Sequence, residues 1–141
     1  MAMTMHVDIV SAEEEIFSGA AEMVFAPAEM GEVGITPRHT PLLTRLKPGE
    51  VRVLTADHQE QFFFVSGGML EIQPHVITVL ADTAMRAKDI DEAAALEAKR
   101  RAEDALRDQR SEREYARAQA ELAESIAKLR ALEHVRKKGR S

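Results

Sequence analysis

Hydrophobic and polar residues follow two different patterns along the chain, and the change falls close to residue 88. Before this point, short stretches with alternating apolar positions are separated by glycine and proline, which is typical of the strands of a β-sandwich or barrel. The predicted strands are MHVDIVS (5–11), MVFAPA (23–28), GEVGITP (31–37), VRVL (51–54), QFFFVS (61–66), MLEIQ (69–73) and VITVLA (76–81). Gly67 and Gly68 separate two of them and predict a tight turn between neighbouring strands. Pro48 and Gly49 suit a type II turn, in which glycine adopts a positive φ.

After residue 88, the apolar positions repeat every three to four residues, which indicates amphipathic helices. We predict helices over residues 90–107 and 112–136, separated by the polar segment RDQR and folded back on each other as an antiparallel hairpin. Each helix begins with a capping box. The two boxes are Asp89 with Glu92 and Ser111 with Glu114. The chain is therefore predicted to have a mixed, mainly β fold, with a β-sandwich over residues 1–87 and a two-helix hairpin over residues 88–141.

Small residues are concentrated on the predicted hairpin. The second helix has an apolar stripe at Tyr115, Ala118, Leu122, Ile126, Leu129 and Leu132 or Glu133. It also has a row of alanines at Ala116, Ala120, Ala123, Ala127 and Ala131, and the first helix offers Ala94, Ala98, Ala102 and Ala105. Alanine facing alanine allows close approach, but each contact buries few methylene groups, at about 0.8 kcal/mol each. Two interpretations remain open: a hairpin with small residues at a tight contact, and an arm held weakly enough to leave its docked position.

The net charge of −5 is unevenly distributed over the 141 residues. Residues 1–88 carry 6 Lys and Arg against 12 Asp and Glu, whereas residues 111–141 carry 8 against 5. An acidic body with a basic end suggests that the two ends contact different surfaces. No apolar stretch approaches the roughly 18 residues of a membrane span, so we expect membrane association only through partner proteins. The chain has no cysteine, which excludes disulfides and thiolate chemistry.

Candidate catalytic groups do not converge in the sequence. The glycine-rich motifs of nucleotide-binding proteins are absent, and Ser66 lies in SGG rather than in a nucleophile elbow. The five histidines lack a metal-ligand spacing, so no metal or cofactor is expected. The basic residues lack the aromatic platform and recognition-helix context of nucleic-acid binding, and an acidic protein surface is the better partner. The residues alone indicate a non-catalytic β domain with a polar helical arm.

Four segments carry a resemblance to a known family. They are VSAEEEIFSG (10–19), GEVGITPRHTPLLTRLKPGEVRV (31–53), FVSGGMLEIQPHVITVLADTA (64–84) and DEAAALEAKRRAE (91–103). In order and spacing they resemble the epsilon subunit of bacterial F-type ATP synthase, the counterpart of the mitochondrial delta subunit, over almost the whole chain. The resemblance implies a non-catalytic rotor subunit of the central stalk, whose sandwich binds the gamma subunit and rests on the ring of c subunits. It also implies a peripheral position at the cytoplasmic face of the bacterial inner membrane, as part of the complex.

The resemblance implies contact residues as well. The segment GEVGITPRH corresponds to a loop that lies near the c ring in the family, so the candidate contacts are Glu32, Arg38 and His39. The helical arm resembles one that permits ATP hydrolysis when folded on the sandwich and blocks it when extended along gamma. In the extended state its partners would be the beta and alpha subunits of the catalytic head. The candidate contacts with the beta subunit are Arg113, Arg117, Lys128 and Arg130, which suit acidic loops, and the apolar stripe of Leu122, Ile126 and Leu129, which would be buried.

One departure from the family pattern concerns ATP binding. Some members bind ATP through a helix-start motif [I/L]-D-x-x-R-A, to which Ile90, Asp91, Ala94 and Ala95 correspond here. Because Ala94 stands where arginine would be, the guanidinium that suits phosphate is missing. ATP binding by the isolated chain is therefore expected to be weak or absent, with Arg100, Arg101 or an arginine of the second helix as candidates for partial substitution.

Two other function classes remain open from the residues alone. A stand-alone adaptor would bind one protein through the sandwich and another through a coiled coil, although the alanine-rich register lacks the larger apolar residues of a self-sufficient coiled coil. An enzyme would need convergent catalytic groups. Co-purification with gamma, and turnover by the purified chain, would separate these classes from the rotor subunit.

Overall fold

The computed structural model describes residues 3–108 and 111–139, so Gln109 and Arg110 of the predicted break lie outside the described residues. Within these residues the chain forms nine strands, a short 3₁₀ turn and two helices. The strands are β1 (Met5–Ser11), β2 (Glu15–Ala28), β3 (Gly31–Ile35), β4 (Leu42–Leu46), β5 (Gly49–Thr55), β6 (Glu60–Val65), β7 (Gly68–Ile72), β8 (Val76–Ala81) and β9 (Ala84–Arg86). The 3₁₀ turn (Ala87–Asp89) leads into helix α1 (Glu92–Arg107), which is followed by helix α2 (Glu112–Gly139).

The strands form two layers that pack face to face. One layer has the order β1-β8-β7-β4, and the other has the order β2-β5-β6-β9, with β3 paired to β2. β2 is long enough to serve both layers, because its first half pairs with β1 and its second half with β3 and β5. The predicted β-sandwich followed by a two-helix hairpin is confirmed.

The core lies between the two layers because alternate residues of each strand point inward. On β1, Met5, Val7 and Ile9 are buried. Phe63 on β6 is fully buried and packs against Phe17 on β2, with ring centroids 5.5 Å apart. This two-layer interior gives the arm a rigid surface to lie on.

The predicted hairpin between β6 and β7 is wrong. β6 pairs with β5 and β9, whereas β7 pairs with β4 and β8, so the chain crosses from one layer to the other at Gly67 and Gly68. Gly68 has a φ of +134°, and a Cβ there would lie 2.0 Å from the carbonyl oxygen of Leu80. Glycine is therefore required at this crossing for both its conformation and its lack of a side chain.

The type II turn expected at Pro48 and Gly49 is also wrong, because Gly49 is not among the glycines with positive φ. Gly49 begins β5, and a Cβ there would lie 2.7 Å from Cβ of Pro27. Close approach to Pro27 on β2, rather than backbone freedom, explains this glycine.

The two helices lie close to their predicted bounds, and one of the two predicted caps is confirmed. The Ser111 hydroxyl accepts a hydrogen bond from the Glu114 amide at 3.1 Å. Asp89 does not cap α1, because it ends the 3₁₀ turn and Ile90 is extended. The Asp91 carboxylate takes that role and accepts a hydrogen bond from the Ala94 amide at 3.1 Å.

Small residues do lie between the helices, but Ala102 is the one member of the predicted alanine rows among those named here. The buried residues of α1 are Ala95 and Ala102, and those of α2 include Ala118 and Ser125. Within each helix these positions are seven residues apart, which is the spacing of a packing seam. In the predicted row, Ala116, Ala120 and Ala123 are exposed, whereas Ala127 and Ala131 pack against the sandwich.

Candidate functional site: the docked helical arm

The outer face of β5 and β6 is the surface on which α2 lies. Four consecutive residues of β6, from Phe62 to Val65, are buried because the sandwich core covers one side of the strand and the arm covers the other. An unbroken apolar run of this length is consistent with a strand covered on both faces. The arm side forms a second apolar cluster, which we call the docking cluster. Its buried members are Phe62, Phe64, Ala87, Ile90, Ala127, Ala131 and Leu132, with Met85 and Val135 packed against them.

The arm contributes mostly small side chains to the docking cluster. Two of its three buried residues in α2 are alanines, Ala127 and Ala131, and only Leu132 is large. At about 0.8 kcal/mol per buried methylene group, the two alanine methyls add little to the contributions of Leu132 and the partly buried Val135. The apolar attraction between arm and sandwich is therefore modest.

An ion pair crosses from the arm to the sandwich at one edge of this cluster. Nδ1 of His134 on α2 lies 2.8 Å from both carboxylate oxygens of Glu50 on β5. The Glu50 side chain is only 12% exposed, whereas that of His134 is 45% exposed. The His134 ring also packs against Phe62, with ring centroids 5.7 Å apart. A largely desolvated carboxylate therefore lies under the arm and meets one imidazole.

Burial raises the pKa of Glu50 above its ordinary value of 4.5. The hydrogen bond and charge of His134 and the charge of Arg52 act in the opposite direction but do not cancel the effect of burial, and Glu32 raises the pKa further. The docked environment thus disfavours the ionised carboxylate on balance.

Two further contacts involve cations of α2. Nζ of Lys128 lies 5.2 Å from the ring centroid of Phe64 on β6, a contact that contributes to docking. It also lies 3.5 Å from Glu124 on the same helix. Arg136 forms a bidentate ion pair with Glu92, which joins the last part of α2 to the first turn of α1. The hydrogen bond from Arg136 lowers the pKa of Glu92, and Glu92 raises the pKa of Arg136. Both groups are exposed, so the pair fastens the hairpin only weakly.

The structure separates the three candidate c-ring residues. Glu32 lies at the start of β3, accepts a hydrogen bond from Arg52 at 3.4 Å, and borders a groove beside α2. Arg38 and His39 lie on the loop after β3. Arg38 has a φ of 66° and its amide donates to the Pro74 carbonyl at 2.8 Å, and Nδ1 of His39 lies 2.7 Å from the Thr40 carbonyl oxygen.

The candidate contacts with the beta subunit lie on different faces of α2. At 100° per residue, Arg113, Arg117 and Lys128 share one side of the helix. Leu122, Ile126 and Leu129, all half-buried, lie on the opposite side, and exposed Arg130 lies next to them. The docked arm leaves Arg113, Arg117 and Arg130 accessible, whereas Lys128 is partly engaged.

The residues at the degenerate ATP motif serve the fold. Ile90 belongs to the docking cluster, Asp91 caps α1, and Ala95 is buried, while Ala94 is exposed. They border a groove of about 610 Å³ between α1, α2 and the sandwich. Its charged lining residues are Asp89, Asp91, Glu121, Glu124, Arg101 and Lys128.

A serine, a histidine and an aspartate meet on the exposed face of β1 and β2, but not as a catalytic relay. Oγ of Ser18 donates to Oδ1 of Asp8 at 2.7 Å, and Nε2 of His6 contacts the same Oδ1 at 2.9 Å. Nε2 of His6 also lies 3.1 Å from Oγ of Ser18. In a catalytic relay the histidine contacts the serine through one ring nitrogen and the aspartate through the other, whereas here the same nitrogen meets both. Ser66 is engaged as well, because its oxygen accepts from the Thr83 amide at 2.8 Å.

Sequence reasoning missed the pairing of Glu50 with His134, since the two residues are 84 positions apart and neither lies in a local motif. It also missed the docking cluster, although the run from Phe62 to Val65 was a usable signal for a strand covered on both faces. Among the described residues, no group of three or more acidic or histidine side chains is arranged to hold a metal ion. No helix in the described part of the chain has the length and apolarity needed to cross a membrane.

Comparison with known families agrees with this two-part architecture. Residues 4–87 match the family described as "ATP synthase, Delta/Epsilon chain, beta-sandwich domain". Residues 88–133 match "ATP synthase, Delta/Epsilon chain, long alpha-helix domain". The chain thus belongs to a class of ATP synthase subunits that have a β-sandwich followed by long helices. The described residues contain no converging catalytic centre.

Individual relatives narrow the assignment. The ATP synthase epsilon chain of Nitrosococcus oceani is 73% identical over 138 residues, covering 98% of this chain and 99% of that protein. The epsilon chain of Halorhodospira halophila is 63% identical over 138 residues, covering 97% and 98%. The chain belongs to the ATP synthase delta/epsilon family, as a subunit of the epsilon type.

Solved structures share the fold at low identity. A chain of the Euglena gracilis mitochondrial ATP synthase, in a structure of OSCP, F1 and the c-ring, superposes with a TM-score of 0.82 at 18% identity, covering 92% of this chain and 81% of that one. A chain from the central stalk and c-ring of the Tetrahymena thermophila mitochondrial enzyme gives a TM-score of 0.65 at 14% identity, covering 92% and 97%.

Proposed function

We propose that this chain is a non-catalytic rotor subunit of the central stalk, which links the gamma subunit to the c ring and restrains ATP hydrolysis by extending its helical arm. The docking cluster carries this proposal, because the arm is folded in a defined place yet held by few large side chains. A switch needs two states within a few kcal/mol of each other. When docked, the arm would permit hydrolysis, and when extended it would contact the beta and alpha subunits.

The outer face of the β1-β8-β7-β4 layer is the surface we assign to gamma. It lies away from the arm and exposes Leu43 and Leu80, at 64% and 51%. Met69 on β7 pairs with Leu80 on β8 and with Arg45 on β4. The exposed apolar patch therefore extends across three neighbouring strands. Exposed apolar side chains gathered on one face are typical of a protein–protein contact.

The proposed contact with the c ring uses Glu32, Arg38 and His39. Met30, at the tip of the β2–β3 turn, is 95% exposed and lies two residues from Glu32. A stalk subunit of this kind would reach the cytoplasmic face of the bacterial inner membrane only as part of the complex.

The rotor and arm roles are tested by ATP hydrolysis in a gamma-containing catalytic head assembled with either the full chain or residues 1–88. We expect the shorter chain to bind gamma and hydrolysis to rise several-fold, because the inhibitory arm is missing. Equal rates with the two chains would refute inhibition by the arm. Failure of both chains to bind gamma would refute the rotor role and favour the adaptor.

We further propose that the isolated chain binds ATP weakly or not at all and needs no cofactor. Carboxylates of Asp89, Asp91, Glu121 and Glu124 line the groove beside Ala94 and would repel phosphate. Isothermal titration of the wild-type chain should show no binding at micromolar ATP. Ala94→Arg should increase the affinity, whereas Ala93→Arg, the same change at the exposed neighbouring position, should not. Micromolar affinity of the wild-type chain would contradict this expectation.

A further inference from the structure

Glu50 is an unusual residue to place beneath a movable arm. Its side chain is 12% exposed and borders a groove whose opposite wall is formed by α2, where Ala123, Ile126 and Ala127 supply apolar atoms. Taking a carboxylate out of water is costly unless a partner compensates for the lost hydration. The docked arm therefore makes the sandwich surface less favourable for this charge.

Within the described part of the chain, His134 is the residue of the arm that pairs with Glu50 and compensates its lost hydration. Its Nδ1 lies 2.8 Å from both carboxylate oxygens. The other charged groups that face Glu50 are Arg52 on β5, with Nε at 3.8 Å, Glu32 on β3, and Lys47 and Arg130, which line the same groove. Arg52 is shared, because it also bonds Glu32 and lies over the ring of Phe25 at 4.2 Å.

We propose that His134 compensates the largely desolvated Glu50 carboxylate, so that arm docking is coupled to protonation of this carboxylate, and removing His134 releases the arm whereas neutralising Glu50 does not. This inference rests on the proposed movement of the arm and adds its regulation by pH. It differs from a simple stabilising salt bridge, for which removal of either partner would weaken docking to a similar extent.

The sign of the pH effect follows from the state of Glu50. Burial in the docked structure raises the pKa of Glu50 above its ordinary value of 4.5. Release of α2 would re-expose this carboxylate to water, so the docked arm would bind more protons than the released arm. The contribution of protonated Glu50 to docking is fully present below pH 4.5 and is lost as the pH rises through the raised pKa of Glu50. Acid conditions thus favour the docked arm, and alkaline conditions favour its release.

The chain has no cysteine, so a dye pair can be attached specifically to the full-length protein. Asp57→Cys on the turn between β5 and β6 and Ala116→Cys on α2 are exposed positions outside the docking cluster. Single-molecule energy transfer between them reports the ratio of docked to released arm. The slope of the logarithm of this ratio against pH gives the number of protons taken up on docking.

For the wild-type chain we expect the docked ratio to rise as the pH falls through the raised pKa of Glu50 towards 4.5. His134→Gln should lower the ratio at pH 7 by about tenfold or more, because it leaves a desolvated carboxylate without its partner. Glu50→Gln should not lower the ratio and should flatten the pH slope, and the double variant should regain most of the docking lost in His134→Gln. Matched substitutions at exposed positions, His58→Gln and Glu13→Gln, should change neither the ratio nor the slope.

Three results would overturn the proposal. Equal losses of docking in His134→Gln and Glu50→Gln would indicate an ordinary salt bridge. A ratio that does not change with pH, while the arm still exchanges between two states, would refute the coupling to protons and leave the movement of the arm intact. A signal fixed at the docked value at every pH and in every variant would refute both this coupling and the proposed movement.

Discussion

Ala131→Gln should release the arm from the sandwich while leaving the sandwich folded. Ala131 is fully buried in the docking cluster, where α2 lies against Phe62 and Phe64. Overpacking such a contact costs about 1–3 kcal/mol, and burying an amide without a hydrogen bond costs about 1–3 kcal/mol more. Because the arm is held by few large side chains, a loss of this size would move most molecules to the released state. Energy transfer between the sandwich and α2 measures the change.

Ala120→Gln is the matched control for this prediction. Ala120 lies on the same side of the same helix, but it is exposed and outside the docking cluster. The Ala120→Gln substitution should leave the docked fraction unchanged. The dependence of docking on this small apolar contact would be refuted if both variants stayed docked, or if both released the arm equally.

Gly68→Ala should prevent the sandwich from folding. A Cβ at this position would lie 2.0 Å from the Leu80 carbonyl oxygen and 2.9 Å from Cα of Ala81, and both are backbone atoms of β8 that cannot move aside without breaking the β7–β8 pairing. The clash adds to the strain of a φ of +134°, which alone costs of the order of 1–3 kcal/mol. Loss of this strand pairing would leave little of the 5–15 kcal/mol that stabilises a typical domain. Circular dichroism and soluble yield provide the measurement.

Gly31→Ala separates backbone strain from the steric clash, because Gly31 has a φ of +133° but no atom within 4 Å of the added Cβ. It should fold and lose only the conformational contribution, seen as a modest drop in melting temperature. A Gly68→Ala protein that melts at the same temperature as Gly31→Ala would show that the close approach to β8 is unimportant.

The fold class was predictable because each half of the chain has a strong local pattern. The alternation of Met5, Val7 and Ile9 defined β1, and the Ser111 hydroxyl placed the start of α2. The pairing of strands was not predictable in the same way. The pair Gly67 and Gly68 is typical of a hairpin, and its use as a crossing between layers depends on contacts with β8 that are distant in sequence.

The cap of α1 was mispredicted for a local reason. Asp89 and Asp91 both precede an apolar periodic segment. A 3₁₀ turn, whose first residue Ala87 is buried in the docking cluster, moves the helix start past Asp89. A capping motif alone does not contain that information. Likewise, an alanine row indicates a close contact but not whether the contact is with a helix or a sheet.

The candidate site was partly predictable. The arm and its small residues followed from composition and spacing, but the cluster that holds the arm joins residues from β6, the 3₁₀ turn and α2. The Glu50–His134 pair connects β5 with the last turns of α2, and no rule of local spacing relates them.

ATP hydrolysis by a gamma-containing catalytic head, assembled with the wild-type chain, Ala131→Gln or Ala120→Gln, tests the movable arm most directly. If the released arm is the inhibitor, the head assembled with Ala131→Gln should hydrolyse ATP more slowly than the head assembled with the wild-type chain, because more arms are free to extend. The head assembled with Ala120→Gln should hydrolyse ATP at the wild-type rate. The same hydrolysis rate in all three assemblies, together with clear release of the arm in Ala131→Gln, would contradict inhibition by an extended arm.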